Sequence, residues 1–438
     1  MSENYTKIHN RLLEQLNSTT ELFKKSNSKS FQRWEKAKEF MPGGNTRTVL
    51  HYDPFPIAMT SGKGTYLKSL DGDTYTDFLG EYSAGLYGHS NKKINNALKN
   101  AIDLGLSLGA PNQWESPLAE EICFRFPSIE KVRFTNSGTE ANLMAIGAAR
   151  AYTGREKIMV FDGGYHGGVL NFKEGHSSVN APYQFIKVPY NDQEKAISQI
   201  KGNSDTLAAV LVEPMLGSGG CIPGKKEFLH SLRKETKKYN ICLIFDEVMT
   251  SRNSIGGLQK ILGIKPDLTT LGKYLGGGAS FGAFGGNSKV MSIWDPTKQN
   301  FLAHAGTFNN NTLSMIAGLV GLKEIFTPKK ATELFERGER FKLRLNKVIT
   351  ESNANLQVSG VGSILGLHVG TSVISKPPKY SRLELDILKL VHLQMSLRGF
   401  LFAQRGYITL NLAMSEKDID NFVLAFQEVI RLQSDILC

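Results

Sequence analysis

Five short apolar runs follow one another between about residues 130 and 290, separated by stretches with helical periodicity. They read KVRFT, KIMVFDGG, LAAVLVEP, ICLIFDEV and LTTLGK. Runs of Val, Ile and Leu without polar alternation are typical of strands buried on both faces, as in a parallel sheet covered by helices. Each run ends in a glycine, a polar residue or an acid, and ligands of open α/β sheets lie at the carboxyl ends of the strands. The sequence therefore predicts an α/β fold whose chemistry lies along that edge.

The chain beyond residue 325 predicts a smaller α+β unit. It contains a long helical pattern, two short strand patterns and a final amphipathic helix: ATELFERGERFKLRLNKVITES, LQVSG, ILGLHV and DIDNFVLAFQEVIRLQ. We expect this unit to join the N-terminal arm in one discontinuous domain. The predicted division is an N-terminal arm with part of the small domain over residues 1–65, a large domain over 66–325 and a C-terminal small domain over 326–438.

Composition narrows the function classes. The 438-residue chain is 41% hydrophobic and 21% charged, which is ordinary for a globular protein. Its net charge of +11 would suit a nucleic-acid binder, but the lysines are spread along the chain rather than gathered in one basic run, so that class stays a minor alternative. The chain has no apolar window long enough for a membrane span and no apolar core of a signal peptide, which predicts a cytoplasmic protein. The four cysteines and nine histidines show no metal-ligand spacing, so we expect neither a disulfide nor a metal.

The segment RFTNSGTEANLMAIGAARAY predicts a phosphate site. A strand should end at Thr135, and Ser137 with Glu140 has the spacing of a capping box at the start of a helix. Such a helix start offers free backbone N–H groups, hydroxyls and a close-approach glycine, all of which suit an anion. Many helices of α/β proteins begin this way without binding a ligand, so the motif alone does not establish a phosphate site.

Two charged residues follow neighbouring apolar runs. Asp246 ends ICLIFD, and Lys273 follows LTTLG and precedes three glycines. A structural ion pair is the simpler interpretation of a strand-end acid. A partly desolvated lysine, however, loses its proton readily and can form an imine with an aldehyde. A phosphate site, a strand-end carboxylate and a strand-end lysine together predict pyridoxal 5'-phosphate as cofactor.

Two other motifs compete with this interpretation. GASFG matches the nucleophile elbow of a serine hydrolase, which would make Ser280 the nucleophile, but an elbow needs a strand before it and a helix after it. Glycines precede Ser280 instead. GCIPGKK approaches a P-loop, but Lys226 stands in place of the magnesium-binding Ser or Thr, and Pro223 stiffens the loop. We reject the P-loop and keep the hydrolase as a minor alternative.

The sequence resembles a known family from about residue 40 to its end. The motifs FTNSGTEANLMA, FDGGYHGG, VEPMLGSGGCIPG, IFDEVMTSR, DLTTLGKYLGGG and HAGTFNNN are similar, in order, to those of class III PLP-dependent aminotransferases. Within the class, DEVMTSR, PYND and MPGGNTRTVL are most similar to glutamate-1-semialdehyde 2,1-aminomutases and to β-phenylalanine (β-amino acid) aminotransferases. GYHGGV and GTFNNN favour the second group. The resemblance implies fold type I, with a seven-stranded sheet in the large domain, and a homodimer with each active site at the subunit interface.

The resemblance also implies residue roles at the cofactor phosphate. Ser137, Gly138 and Thr139 correspond to the residues that hold the phosphate. Thr307 corresponds to a residue that reaches the phosphate of the partner subunit.

Further roles follow for the cofactor ring. Tyr165 would stack on the ring, Val248 would pack on its opposite face and Asp246 would pair with the pyridine nitrogen. Lys273 would form the internal aldimine. Glu213 is expected near the cofactor, without a defined role.

The substrate assignment rests on two arginines. The resemblance implies that Arg47 binds the carboxylate of the amino donor and that Arg405 binds the carboxylate of the acceptor. Without the resemblance, the simpler interpretation of each arginine is a surface or interface residue. The prediction is transamination of a β-amino acid, such as β-phenylalanine, with 2-oxoglutarate, and the alternative is a glutamate-1-semialdehyde 2,1-aminomutase. Leu216 and Met249 replace polar residues of many relatives, so specificity for ω-amines is not carried over.

Overall fold

The computed structural model describes residues 3–173 and 177–438, with side chains described from residue 7 onward. Its strands are β1 Met59–Lys63, β2 Tyr66–Ser69, β3 Thr74–Asp77, β4 Lys131–Thr135, β5 Lys157–Phe161, β6 Phe185–Val188, β7 Leu207–Val212, β8 Met215–Leu216, β9 Ile222–Pro223, β10 Cys242–Asp246, β11 Leu268–Gly272, β12 Gly282–Gly286, β13 Leu356–Val361, β14 Ile364–Val369, β15 Phe400–Leu401 and β16 Tyr407–Thr409. Its α-helices are α1 Glu3–Ser26, α2 Ser28–Ala37, α3 Lys92–Leu104, α4 Glu115–Arg125, α5 Gly138–Thr153, α6 Gln193–Gly202, α7 Lys226–Lys238, α8 Gly257–Leu262, α9 Ser288–Met291, α10 Thr312–Val320, α11 Pro328–Glu351, α12 Arg382–Ser396, α13 Glu416–Leu432 and α14 Ser434–Leu437. No helix in this described part is long and apolar enough to cross a membrane.

A seven-stranded sheet forms the centre of the molecule, in the order β4-β12-β11-β10-β7-β5-β6. All its strands are parallel except β12, which runs antiparallel to both of its neighbours. The five apolar runs seen in the sequence are β4, β5, β7, β10 and β11, so the predicted α/β fold is confirmed. Their carboxyl ends share one edge of the sheet.

Helices cover both faces of this sheet. The inner side of α5 packs on one face through Ala141, Ala145, Ala148 and Ala149, all with no solvent-exposed surface. On the other face α6 and α7 pack apolar side chains against Phe161, Val210 and Phe245 and their neighbours. Because both faces are buried, the strands are apolar throughout rather than alternating.

Three smaller sheets flank the centre. Strands β1, β2 and β3 form one sheet with β15, strands β13, β14 and β16 form another, and β8 pairs with β9. The pairing of β3 with β15 brings segments from the two ends of the chain into one sheet. The domain boundaries at residues 65 and 325 remain predictions.

Strand β12, with the sequence GAFGG, had no counterpart among the predicted strands, because glycine is depleted in strands. Its glycines permit close backbone approach. A Cβ at Gly282 would overlap the Ser137 carbonyl oxygen and the Thr135 hydroxyl. The missing side chain thus lets β12 lie against β4 and the start of α5.

This close approach gives a test on stability. Replacing Gly282 by Ala should lower the free energy of unfolding by about 1–3 kcal/mol, as other overpacking changes do. Gly147 in α5 is the matched control, because an added Cβ there meets no atom within 4 Å. Gly147→Ala should raise the free energy of unfolding by about 0.5–1 kcal/mol. Chemical denaturation measures both, and a Gly282→Ala variant as stable as the wild type would contradict this packing.

Candidate active site

The carboxyl edge of the central sheet brings the candidate residues together. Glu213 follows β7, Asp246 ends β10 and Lys273 follows β11. The N-terminus of α5, which follows β4, opens at the same edge.

The start of α5 is capped as the sequence predicted, with one difference. The Ser137 hydroxyl accepts a hydrogen bond from the Glu140 N–H at 3.2 Å. The carboxylate of Glu140 accepts from the N–H of Asn136 at 2.8 Å rather than from Ser137, so the reciprocal half of the predicted capping box is shifted by one residue. The N–H groups of Gly138 and Thr139 donate to no other group in the described chain. They remain available to an anion.

Asp246 lies at the centre of a buried network of donors. Its Oδ2 atom accepts from Asn142 Nδ2 at 2.9 Å and lies 2.8 Å from His166 Nδ1, and its Oδ1 atom accepts from the Val248 N–H at 3.0 Å. The Thr270 hydroxyl donates to Asn142 Oδ1 at 2.8 Å and fixes the orientation of that amide. The carboxylate is only 4% exposed, so these donors replace the water that burial removes.

Lys273 is a non-glycine residue with left-handed backbone, at φ +57°. Its Nζ atom donates to the carbonyl oxygen of Tyr82 at 2.6 Å. Burial lowers the pKa of the Lys273 amine to about 8, the effect of Glu81 opposes this and the charge of Arg47 adds to it. The amine therefore reaches its neutral, nucleophilic form nearer to neutral pH than an ordinary lysine.

A left-handed turn presents that carbonyl to Lys273. Gly80, Glu81, Tyr82 and Ser83 all have φ between +46° and +79°. Left-handed backbone costs about 1–2 kcal/mol for each non-glycine residue. Such strain persists only where surrounding contacts fix it, and it is frequent at functional sites.

Both candidate substrate arginines contact this turn. Arg47 forms an ion pair with Glu81. The Arg405 guanidinium lies 5.1 Å from the centre of the Tyr82 ring and 5.9 Å from that of Tyr407, and its Nη1 atom is 3.3 Å from Ser218 Oγ. The turn thus joins both arginines to the carbonyl that binds Lys273.

Glu213 fixes the loop that carries Tyr165. Its carboxylate accepts from the N–H groups of Tyr165 at 2.9 Å and Gly217 at 2.8 Å. Burial raises the pKa of the Glu213 carboxyl to about 7, while the two backbone donors and His166 oppose that rise. Tyr165 is 40% exposed. The sequence left the role of Glu213 undefined. In the structure its carboxylate holds the backbone of Tyr165 and Gly217 beside the site.

Glycines allow the segments around the start of α5 to pack closely. Val248 packs against Gly138 and Gly272, and a Cβ at position 138 would lie 2.8 Å from a Val248 methyl group. Gly167 packs against Thr139 in the same manner. The glycine after Ser137 is therefore required by close packing.

Thr307 is the predicted site residue that stands apart. It lies exposed in the segment between α9 and α10, with the exposed side chains of Phe301 and Phe308 nearby in sequence. Its assignment to the phosphate of a second subunit remains a prediction.

The serine-hydrolase alternative does not agree with the position of Ser280. Ser280 is followed by strand β12 rather than by a helix, and its hydroxyl donates to the Asn136 carbonyl at 2.6 Å. That order is opposite to the one a nucleophile elbow needs.

The two residues that replace polar residues of many relatives are apolar in their surroundings as well. Leu216 is fully buried in the core, and Met249 packs against Gly217, so neither offers a polar contact.

Several residues of the site escaped the sequence interpretation. His166 was visible only as the neighbour of Tyr165 in GYHGG, and Asn142 only as a polar residue inside a helix. Both contact Asp246 from distant parts of the chain. The contact of Tyr82 with Lys273 is made by a backbone carbonyl and has no signal in the sequence.

A cavity of about 780 Å³ opens beside Arg405. Ser218 and Tyr407 line it with Arg405, whereas Lys273 does not. Among its described lining residues are one carboxylate, Asp162, and the lysines Lys173, Lys187, Lys376 and Lys379. Asp162 pairs with Lys187 at 3.2 Å, so Arg405, Lys376 and Lys379 give the described lining an excess of positive charge.

Comparison with known proteins covers nearly the whole chain. The family described as "Aminotransferase class-III" matches residues 49–430. A β-phenylalanine transaminase of Variovorax paradoxus is 45% identical over 408 residues, which are 93% of this chain and 94% of that protein. A glutamate-1-semialdehyde 2,1-aminomutase of Methanopyrus kandleri is 33% identical over 418 residues, 92% of this chain and 97% of that protein. The crystal structure of a β-phenylalanine aminotransferase from V. paradoxus superposes with a TM-score of 0.95 at 43% identity, over 97% of this chain and 99% of that one.

The fold is that of the PLP-dependent transferases of fold type I. The chain belongs to the class-III aminotransferases and is a PLP-dependent enzyme. The residues fit this cofactor: the free N–H groups of Gly138 and Thr139 suit its phosphate, and Lys273 provides an amine whose pKa is lowered. Asp246 provides a carboxylate held by three donors.

The lowered pKa of Lys273 predicts its reactivity. In the cofactor-free chain, an amine-reactive reagent should modify Lys273 faster as the pH rises, because the reacting form is the neutral amine. The rate should reach half of its maximum near pH 8. Peptide mass spectrometry measures the rate at each pH, and Lys329, which is 86% exposed, gives the reference within the same digest. A Lys273 midpoint at the ordinary value of 10.5 would contradict the effect of burial.

The network around Asp246 predicts a large effect of Asp246→Asn. An amide cannot accept from all three donors and carries no charge, so turnover should fall by about 10²–10³-fold while the cofactor stays bound. Asp267→Asn is the matched control, because Asp267 also accepts from a backbone N–H at the opposite end of the same strands. Steady-state kinetics and absorbance of the bound cofactor measure both variants. Near-normal turnover of Asp246→Asn would refute the role of its charge.

Proposed function

We propose that this chain transfers the amino group of a β-amino acid, such as β-phenylalanine, to 2-oxoglutarate. The observation that carries the proposal is the contact of two arginines, Arg47 and Arg405, with the turn that binds Lys273. A guanidinium binds a carboxylate through a planar, always charged fork. Donor and acceptor each carry a carboxylate, so each can be held while its reacting carbon faces Lys273.

The similarity to a β-phenylalanine transaminase supports this choice of donor. The excess positive charge of the cavity beside Arg405 supports a dianionic acceptor, because charge of one sign concentrates the opposite sign in a cleft. We assign Arg47 to the donor's carboxylate and Arg405 to the acceptor's.

Each residue of the carboxyl edge has a part in the proposed reaction. Ser137, Gly138 and Thr139 bind the cofactor phosphate at the start of α5, and Tyr165 and Val248 enclose the ring: these are the roles we propose for them. Bound pyridoxal phosphate supplies an electron sink for the bond that breaks next to the substrate nitrogen.

Lys273 and Asp246 carry the charges in this proposal. Lys273 would hold the cofactor's aldehyde through Nζ, with loss of water, and the same Nζ, when free, would move the proton that leaves the substrate carbon to the cofactor. General acid–base transfer of this kind contributes about 10²–10⁴-fold. Asp246 pairs with the ring nitrogen, and His166 and Asn142 hold its carboxylate in place. Thr307 completes the phosphate site of the second subunit in a homodimer.

The decisive experiment separates transamination from isomerisation. The purified enzyme is incubated with β-phenylalanine in the presence and absence of 2-oxoglutarate, and we expect one glutamate for each amino group lost. Conversion of glutamate-1-semialdehyde to 5-aminolevulinate without an acceptor, and no reaction of β-amino acids, would instead identify an aminomutase.

The arginine assignment is tested in the same assay. Arg47→Ala should raise the donor KM by about 10- to 100-fold, the loss expected for a hydrogen-bonded charge pair. Arg344→Ala removes an arginine from a similarly exposed ion pair with Asp420, outside the site, and should leave the KM unchanged. Glu81→Gln releases Arg47 from its exposed carboxylate partner, so the donor KM should fall by at most about fivefold. An unchanged KM in Arg47→Ala would reject this role for Arg47.

A further inference from the structure

Arg252 is a buried cation that the proposed reaction does not use. It is 1% exposed, and burial lowers the pKa of its guanidinium to about 10. It forms no ion pair with any carboxylate in the described part of the chain. Burying a charge without an opposite charge is costly, so its contacts need an explanation.

Those contacts are backbone carbonyls of two distant segments. Arg252 Nη1 donates to the Ser83 carbonyl oxygen at 3.1 Å, and Nη2 donates to that of Leu410. Ser83 is the last residue of the left-handed turn, and the preceding carbonyl, that of Tyr82, binds Lys273. One fork therefore connects the strained turn to the segment after β16.

The turn itself contains few internal restraints. The N–H groups of Tyr82, Ala84 and Gly85 donate back to Leu79, Glu81 and Gly80, at 2.8 to 3.2 Å. These bonds do not favour the left-handed form of the non-glycine residues over the right-handed one. Contacts from outside the turn have to hold it: the Tyr82 hydroxyl donates to the Val49 carbonyl at 2.8 Å, and the Arg252 guanidinium donates to the Ser83 carbonyl.

We propose that Arg252 is a positioning residue for Lys273: by binding the Ser83 carbonyl, it holds the turn in the form that presents the Tyr82 carbonyl to the Lys273 amine. The inference rests on the proposed function, in which Lys273 binds the cofactor. The state of the turn, however, is measurable without any assay of activity.

Charge and position have to be separated in the test. The charged groups that act on Lys273 are Glu81, Arg47, Asp246 and Arg252 itself. Arg252→Lys keeps the positive charge, but a single ammonium lacks the fork that spans two carbonyls. Arg252→Met removes both the charge and the fork.

The first measurement is hydrogen exchange of the full-length holoenzyme. In Arg252→Lys and Arg252→Met, the amides of residues 82–85 should exchange at least about tenfold faster than in the wild type, because the turn opens locally. Arg125→Met is the matched control, since Arg125 is also buried and donates to two carbonyls, those of Leu322 and Phe326. It should leave exchange of residues 82–85 unchanged.

The second measurement is kinetic. Arg252→Lys should lower kcat by about 10- to 100-fold with a KM within about twofold of the wild type, as misplacement of a reacting group does. The pH midpoint for modification of Lys273 in the cofactor-free chain should stay unchanged in Arg252→Lys. It should rise in Arg252→Met, because a neighbouring cation disfavours the charged amine.

A milder variant approaches the turn from its other side. The Thr409 hydroxyl donates to the Leu79 carbonyl at 3.1 Å, so Thr409→Val loosens the turn without touching Arg252. We expect faster exchange of residues 82–85 and a lower kcat, both smaller than in the Arg252 variants. This variant decides the question if the Arg252 variants do not fold.

Three results would overturn the proposal. They are wild-type exchange of residues 82–85 in Arg252→Lys, faster exchange in Thr409→Val with wild-type kcat, and equal losses in Arg125→Met. A failure of the proposed function would give a different result. In that case Lys273→Ala would keep its transaminase activity, independently of the hydrogen exchange measured for residues 82–85.

Discussion

The site depends on one hydrogen bond, from Lys273 Nζ to the carbonyl oxygen of Tyr82. Both partners lie on left-handed backbone, at φ +57° and +52°, so each is held in a conformation that an L-residue adopts at a cost. The hydrogen-bond partner of the amine is a neutral carbonyl rather than a carboxylate, and burial lowers its pKa to about 8 although the charges of Glu81 and Asp246 oppose this. An ion pair in the same place would have had the opposite effect on its reactivity.

The second constraint is the shared edge of the parallel strands. Asp246 and Lys273 end neighbouring strands, and the N-terminus of α5 opens beside them, so a carboxylate, an amine and free N–H groups meet without any loop reaching across the sheet. The fixed parts are rigid because strands and α5 are packed on both faces. The adjustable parts, Arg47 and Arg405, come from segments outside the sheet, where a change of substrate need not disturb the cofactor residues.

The sequence predicts those parts of the molecule that have a local signal. Five strands were visible because burial on both faces leaves continuous apolar runs, and the α5 cap was visible because Ser137 precedes an alanine-rich helix face. Strand β12 has no such signal, since its glycines fit close neighbours, the Ser137 carbonyl at Gly282 and the Asp267 carbonyl at Gly286, rather than a strand preference. His166, Tyr82 and Arg252 act through partners about 80 to 190 residues away in the chain, and two of these contacts are made to or by backbone carbonyls, which any residue type supplies. Periodicity and motif spacing carry no information about such contacts.

The two substrate arginines differ in what a carboxylate must displace. Arg47 is paired with Glu81, so a substrate carboxylate that binds Arg47 replaces the Glu81 carboxylate. Binding then gains only the difference in free energy between the two ion pairs. Arg405 has no carboxylate partner in the described chain; it lies against two tyrosine rings and near Ser218, and the cavity beside it holds further positive charge. An anion that binds there adds a charge interaction rather than replacing one. In the proposed reaction this difference favours the acceptor's extra carboxylate at Arg405. Arg47 is left to select a donor by the position of its acid group, because only a well-placed carboxylate binds Arg47 better than Glu81 does.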